Sequence, residues 1–96
     1  MQGQAIEKIK GGKLLNIKVD YSDKIHNVQI VGDFFAHPED SIQKIEEKIK
    51  GMDVDFDHEI LTNDLKAFVK ENNYDLIGIH PEAIVKLLKK SLEAKS

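Results

Sequence analysis

The sequence predicts an α+β domain in which a three-stranded antiparallel meander is followed by three helices packed on one face of the sheet. Two observations indicate this fold class. Apolar and polar residues alternate through the first third of the chain, whereas after residue 38 apolar residues recur at the three- and four-residue spacing of helices. A run of strands followed by a run of helices is typical of α+β folds.

Three strands are predicted before residue 33. Residues 5–10 alternate weakly, residues 14–21 alternate clearly, and residues 25–32 form a β-branched run. Gly11-Gly12 is a turn signal between the first two strands, and a polar cluster separates the second from the third. Because short turns join sequential strands, we expect an antiparallel meander with one apolar face.

Phe34 and Phe35 follow the third strand, directly after Gly32 and Asp33. Adjacent residues of an extended chain point to opposite faces, so both phenylalanines cannot enter the core. We expect one to anchor the core and the other to face a helix or a partner.

The first helix is expected to start at Pro38, because proline suits a first helical turn and two acidic residues follow it. Gly51 is placed to end it. The second helix begins near Asp57 or Thr62 and stops at Asn72-Asn73. The third begins at Pro81. The expected buried faces are Ile42, Ile45 and Ile49 in the first helix, Leu61, Leu65, Phe68 and Val69 in the second, and Ile84, Leu87, Leu88 and Leu92 in the third.

Length and composition indicate one domain spanning residues 1–96, with strands over about 5–33 and helices over about 38–95. The chain is 41% hydrophobic and 32% charged, as in soluble globular proteins. It has no apolar run long enough to cross a bilayer and no basic-then-apolar start of the kind that begins a secretory signal. A cytoplasmic location is therefore expected.

Composition excludes several classes of function. The chain has no cysteine, which rules out disulfides, thiolate catalysis and cysteine metal sites. All fourteen basic residues are lysines and the net charge is −3, which argues against general nucleic-acid binding. Residues 33–78 hold twelve of the seventeen acidic residues. A solvated acidic face is the favoured interpretation, and steering of one partner is the alternative.

Local motifs indicate structure rather than catalysis. Acidic residues at every second position from Asp53 to Glu59 suggest a calcium loop, but His58 occupies the position that requires glycine and the final glutamate is missing. The four histidines lack metal-ligand spacing, and no serine, histidine and acid combination stands out. Residues 10–13 read as a hairpin turn, because a phosphate-binding loop requires more glycines and a following helix. The residues alone indicate a binding or accessory module with no metal site.

Three motifs taken together resemble a known family. They are Lys-Gly-Gly-Lys-Leu at residues 10–14, Val-Gln-Ile-Val-Gly-Asp-Phe-Phe at 28–35 with Pro-Glu at 38–39, and Gly-Ile-His-Pro-Glu at 78–82. In this order they resemble the C-terminal accessory domain of lipoate–protein ligases, and the match runs from about Ile6 to Leu92. Some organisms encode that domain as a separate small subunit, and this chain is similar to that form.

The resemblance implies a non-catalytic role. In this family the catalytic domain binds ATP and lipoate, forms lipoyl-adenylate and passes the lipoyl group to a lysine of a carrier domain. The accessory part is needed for the adenylation step. The implied partner is the catalytic subunit, in a heterodimer, and lipoyl-carrier domains are reached only indirectly. ATP, magnesium and lipoate are expected in that partner, and no cofactor is expected in this chain alone. No catalytic residue is expected either.

The resemblance also draws attention to two turns, one at Gly11-Gly12 and one at Gly32–Phe35. We expect these turns to lie close together and to face the catalytic subunit. The candidate residues are Gly11, Gly12, Lys13, Gly32, Asp33, Phe34 and Phe35. Three alternatives compete with this interpretation. An adaptor unrelated to lipoylation remains open. An iron–sulfur scaffold would work through cysteine, which is absent. An independent small enzyme would need a deep pocket with perturbed acids or histidines.

Overall fold

The structure is a computed structural model, and it describes residues 1–9 and 13–93. The described chain forms five strands and three helices. The strands are β1 (Gln2–Ile9), β2 (Lys13–Tyr21), β3 (Ile25–Gly32), β4 (Phe35–His37) and β5 (Asp75–Ile77), and the helices are α1 (Ser41–Ile49), α2 (His58–Glu71) and α3 (Pro81–Glu93).

The three long strands form the predicted antiparallel meander in the order β1-β2-β3. Ile17 in β2 lies opposite Ala5 in β1 and Ile30 in β3, which fixes the register of the whole sheet. Since side chains alternate along a strand, the odd-numbered residues of β2 share one face. Those from Leu15 onward are buried beneath the helices, whereas the opposite face of the sheet carries Asn16 and Lys18.

The helices supply the other half of the core. α3 packs against β1 and β2, α1 packs against β3, and α2 packs on α3. Their apolar stripes meet the inner face of the sheet, which confirms the predicted α+β arrangement. The buried core consists of Leu15, Ile17, Val19, Tyr21, Ile25, Ile30, Ile45, Ile49, Leu61, Leu65, Ile79, Ala83, Ile84, Val85, Leu87 and Leu88.

A second, two-stranded sheet lies within the region that the sequence pattern assigned to a turn and to helices. β4 pairs antiparallel with β5, and Ala36 lies opposite Leu76. This pairing keeps the backbone extended as far as His37, so α1 begins at Ser41 rather than at Pro38. The expected helical span of about 38–95 is corrected accordingly, because β5 interrupts it between α2 and α3.

The helix ends follow the local chemistry of the sequence. Asp57 caps α2, and its carboxylate accepts a hydrogen bond from the main-chain N–H of Ile60 at 2.9 Å. Of the two predicted starts of the second helix, the one near Asp57 is therefore correct. Gly51 follows α1 with φ +91°, the left-handed conformation that glycine adopts without strain.

Candidate functional site: the junction of the two sheets

The candidate residues lie where the large sheet meets the small one. Lys13 is the first residue of β2, and Gly32 is the last residue of β3. Asp33 and Phe34 connect β3 to β4, which starts at Phe35. Gly11 and Gly12 lie outside the described residues.

The meander brings the start of β2 beside the end of β3. Leu15 pairs with Gly32, and the main-chain N–H of Asp33 donates to the carbonyl of Leu14 at 2.9 Å. A Cβ atom on Gly32 would lie 2.1 Å from that same carbonyl oxygen. Only glycine fits at this position, because no real Cβ atom approaches main-chain oxygen so closely.

Gly78 completes this corner, although the sequence motifs did not single it out as a site residue. Its φ is +84°, and a Cβ placed on it would lie 3.4 Å from the carbonyl oxygen of Asp33, 3.5 Å from the Lys13 side chain and 3.6 Å from the Cα of Phe34. The sequence indicates a turn at Gly78, between β5 and α3, but no local pattern indicates its contacts with Asp33 and Lys13. We call Lys13, Leu14, Gly32, Asp33, Phe34 and Gly78 the junction.

The two phenylalanines differ in burial, as the alternation predicted. Phe34 is half-buried and packs against the core. Phe35 is 74% exposed and lies directly opposite Ile77, which is 57% exposed. Two large apolar side chains therefore stand together on the outer face of the small sheet. We call them the Phe35–Ile77 pair.

A second set of exposed apolar residues lies on the outer face of the large sheet, near the junction. Ile6, Leu14 and Val31 are exposed by 56%, 40% and 41%. Ile6 and Val31 flank Asn16 across the three strands, and Leu14 lies opposite Lys8. Scattered exposed apolar residues need no explanation, but several around one corner are typical of a surface that contacts another protein.

The junction offers charges but no catalytic arrangement. The side chains of Lys13 and Asp33 are exposed, and neither forms an ion pair with another described residue. Among residues 1–9 and 13–93, no three histidine or acidic side chains are placed to hold a metal ion. The described groups of the corner are thus apolar side chains and two exposed charges, which suit contact with a complementary surface.

Three of the residues that first suggested metal or acid–base chemistry have structural roles. Asp57 caps α2, and Asp53 accepts a 2.6 Å hydrogen bond from Lys24, which raises the pKa of that lysine. His80 lies at the start of α3, where its ring accepts a hydrogen bond from the main-chain N–H of Ala83 at 3.3 Å. This local bond helps to satisfy a main-chain N–H in the first turn of α3.

Glu82, in the first turn of α3, has a lowered pKa. The largest cause is a hydrogen bond from its own main-chain N–H, and Lys66 adds a nearby positive charge at 3.4 Å. A carboxylate at the positive end of a helix dipole is a common stabilising arrangement. The shifted pKa of this exposed acid therefore reflects helix structure.

Two of the depressions on the surface of the described chain lie apart from the junction residues. One depression of about 560 Å³ lies over the end of the large sheet and is lined by residues of β1, β2 and β3, including Gln4, Lys18 and Gln29. Another of about 300 Å³ lies between Phe56 and Lys89. No helix in the described part of the chain is both long and apolar enough to cross a membrane.

Fold and site together define a class: an α+β domain whose junction carries exposed apolar residues and two charged side chains that form no ion pair within the described part of the chain. Comparison with known proteins specifies the family. The family model described as bacterial lipoate protein ligase C-terminus matches residues 3–88. The chain belongs to this family, as the sequence motifs indicated.

A solved structure gives a second, independent similarity. It is described as an archaeal lipoylation system from Thermoplasma acidophilum, a bi-partite lipoate protein ligase and its E2 lipoyl domain. One of its chains is 27% identical to this chain and superposes with a TM-score of 0.74, over 92% of this chain and 94% of that chain. A search of curated protein sequences found no significant match.

Proposed function

We propose that this chain is the accessory subunit of a two-component lipoate–protein ligase, which the catalytic subunit needs to convert ATP and lipoate into lipoyl-adenylate. The observation that carries the proposal is the similarity to a chain of a bi-partite ligase, of which the alignment covers 94%. In that system a domain of this size is a chain in its own right. The family match over residues 3–88 supports the same role in lipoylation.

In this proposal the catalytic subunit binds ATP, magnesium and lipoate, and the accessory chain supplies a shaped surface. The character of the junction supports this division of labour, because its described side chains are apolar, or charged without a catalytic arrangement. The role is therefore to form a heterodimer rather than to react. Lipoyl-carrier domains are reached through the catalytic subunit.

We place the contact with the catalytic subunit at the junction and the Phe35–Ile77 pair. Burial of two large exposed apolar side chains provides binding free energy, and aromatic residues are common interface anchors. The ammonium group of Lys13 adds a positive charge to the same corner. Docking there promotes adenylation by ordering mobile loops of the catalytic subunit, since holding reactants in position removes a large part of a reaction barrier.

Reconstitution from purified parts tests the proposal. The catalytic subunit of the same organism is assayed for lipoylation of its lipoyl domain, with and without this chain, and the mixture is analysed by gel filtration. We expect a heterodimer and a lipoylation rate that depends on the chain. Binding without any effect on lipoylation would instead support the adaptor alternative, and an unchanged rate without a complex would overturn the proposal.

A further inference from the structure

The two outer strands of the large sheet, β1 and β3, differ in what covers their outward-facing main-chain groups. Directly before β1, the terminal ammonium nitrogen of Met1 donates to the carbonyl of Tyr21 at 2.7 Å, and the N–H of Tyr21 donates to the carbonyl of Met1 at 2.8 Å. Hydrogen-bonded pairs alternate along an antiparallel ladder, so the odd-numbered residues of β1 bond to β2. The N–H and C=O groups of the even-numbered residues therefore point away from β2, at the open edge of the sheet. Those of interest are the main-chain groups of Gln4, Ile6 and Lys8. We call these groups the β1 edge.

The edge of β3 is occupied by other parts of the chain. The N–H of Ile25 donates to the carbonyl of Met52 at 2.8 Å, and the N–H of Gly51 donates to the carbonyl of Ile25 at 2.8 Å. Farther along, the N–H of Ile30 donates to the carboxylate of Glu46 in α1 at 2.7 Å. A carboxylate directed at a free strand N–H blocks the approach of another strand there.

In the part of the chain that the structure describes, nothing comparable covers the β1 edge. Within residues 1–9 and 13–93, no group forms a hydrogen bond with the main chain of Gln4, Ile6 or Lys8. α3 packs against β1, and the two elements are linked by the Lys90–Glu7 ion pair at 3.1 Å. Glu7 is an odd-numbered residue whose side chain lies on the helix-facing side of the sheet, so this contact leaves the edge open. Exposed strand edges of this kind are templates for strand addition.

We propose that the β1 edge binds an extended, acid-bearing segment of the catalytic subunit, which joins the sheet as a fourth strand. This inference rests on the proposed function and assigns a binding mode to it. Charge indicates the chemistry of the segment, because Lys8 is exposed on the outer face of β1, where a residue of a fourth strand would stand opposite it. The acidic residue on this face of β1 and β2 is Asp20, which lies farther along, opposite Gln2. Opposite charges paired across strands stabilise a sheet.

Charge also favours such a segment over a second copy of the chain. An isologous antiparallel pairing of two β1 strands centred on Ile6 would place Lys8 of one copy opposite Gln4 of the other, which leaves Lys8 without an acidic partner. An acid-bearing segment of the catalytic subunit supplies that partner. It also covers Ile6, which is 56% exposed in the middle of the edge strand.

The β1 edge is continuous with the junction. Lys8 lies opposite Leu14, and the carbonyl of Leu14 accepts the hydrogen bond from Asp33. One partner can therefore contact the junction and add a strand to β1 at the same time. The two contacts together tether it more firmly than either does alone.

Two measurements test the inference. The first is hydrogen exchange of the wild-type chain, free and in complex with the catalytic subunit, read at the amides of Gln4, Ile6 and Lys8. We expect these amides to exchange fast in the free chain and to become protected in the complex. The second is an Ile6→Pro variant, which removes one outward N–H and leaves the ladder with β2 intact, because proline is tolerated on an exposed strand edge.

Ile6→Thr is the matched control, because it removes apolar surface but keeps the N–H and the β-branched shape. We expect Ile6→Pro to weaken binding of the catalytic subunit about tenfold or more, and Ile6→Thr to weaken it clearly less. Circular dichroism of each free variant checks the fold. If the complex forms while the three amides stay unprotected, the inference is overturned and the proposed function survives. If the wild-type chain forms no complex, both fail.

Discussion

Phe35 and Ile77 lie directly opposite each other across β4 and β5, and their side chains are exposed by 74% and 57%. The pair comes from distant parts of the sequence, and only the small sheet brings it together. Apolar side chains that stay in water contribute little to the stability of the free chain. Their most direct use is to be buried against a partner.

Replacing either member of the Phe35–Ile77 pair is expected to weaken the complex without unfolding the chain. For Phe35→Ser and Ile77→Ser we expect Kd for the catalytic subunit to rise about tenfold or more, as for interface anchors. Isothermal titration calorimetry measures it. The matched control is Ile60→Ser in α2, since Ile60 is also 62% exposed. Equal effects at Ile60 and Ile77 would contradict placement of the interface at the small sheet.

Glu46 is expected to give the chain a specific pH dependence. Its pKa is raised above the ordinary value of 4.5 because the carboxylate is partly buried, and the hydrogen bond from the N–H of Ile30 opposes this shift. Between the ordinary and the raised pKa the folded chain binds more protons than the unfolded chain. The contribution of Glu46 to stability therefore falls as pH rises through this window.

Two substitutions separate the charge of Glu46 from its hydrogen bond. Glu46→Gln keeps an acceptor for the N–H of Ile30 but cannot ionise, so it is expected to abolish the fall in stability with rising pH. Glu46→Leu leaves that N–H without a partner and is expected to lower the free energy of unfolding by about 1–2 kcal/mol. Urea denaturation from pH 4 to pH 7 measures both effects. Identical pH profiles for Glu46→Gln and wild type would show that Glu46 does not titrate abnormally.

Gly32 is expected to be the least replaceable of the glycines that the structure describes at the junction. Gly32→Ala drives a methyl group into the carbonyl of Leu14 and is expected to cost about 2–3 kcal/mol of stability. Gly51→Ala is the control for backbone strain alone, because no atom lies within 4 Å of the place that a Cβ on Gly51 would take. Its positive φ predicts a cost of about 1 kcal/mol. Thermal denaturation compares them, and a larger loss for Gly51→Ala would contradict the packing described at the junction.

Removing the hydroxyl group of Ser41 is expected to increase the stability of the chain. It is fully buried at the first position of α1, and its hydroxyl oxygen has no hydrogen-bond partner among the described residues. Since an unpaired buried hydroxyl costs free energy, Ser41→Ala is expected to raise the free energy of unfolding by about 1 kcal/mol. Chemical denaturation tests this. A loss of stability would mean that the hydroxyl is hydrogen-bonded in solution.

The meander and the three helices were predictable because each element is long enough for the regular spacing of its apolar residues to be recognised. Residues 14–21 alternate over four apolar positions, and the isoleucines of α1 recur through two turns. β4 and β5 are three residues each, too short for a period of two to stand out from chance. Their pairing depends on the fold bringing Phe35 beside Ile77, which no local pattern encodes. The missed strands also explain why α1 starts later than Pro38 suggested.

The candidate site was predictable only in part. The sequence identified Gly32 and the two phenylalanines, but it left open which phenylalanine is exposed. The structure resolves this because Phe35, not Phe34, begins the strand that pairs with β5 and lies opposite Ile77. Gly78 escaped prediction because its contacts with Asp33 and Lys13 join residues far apart in sequence. That the junction faces the catalytic subunit stays a prediction.

The central claim is that this chain promotes adenylation in another protein. Its most direct test is the rate at which the catalytic subunit forms lipoyl-adenylate from ATP and lipoate as the concentration of this chain increases. We predict no product with this chain alone, and a rate that rises and saturates at one chain per catalytic subunit. A rate that is independent of the chain, or lipoyl-adenylate formed by this chain alone, would contradict the account.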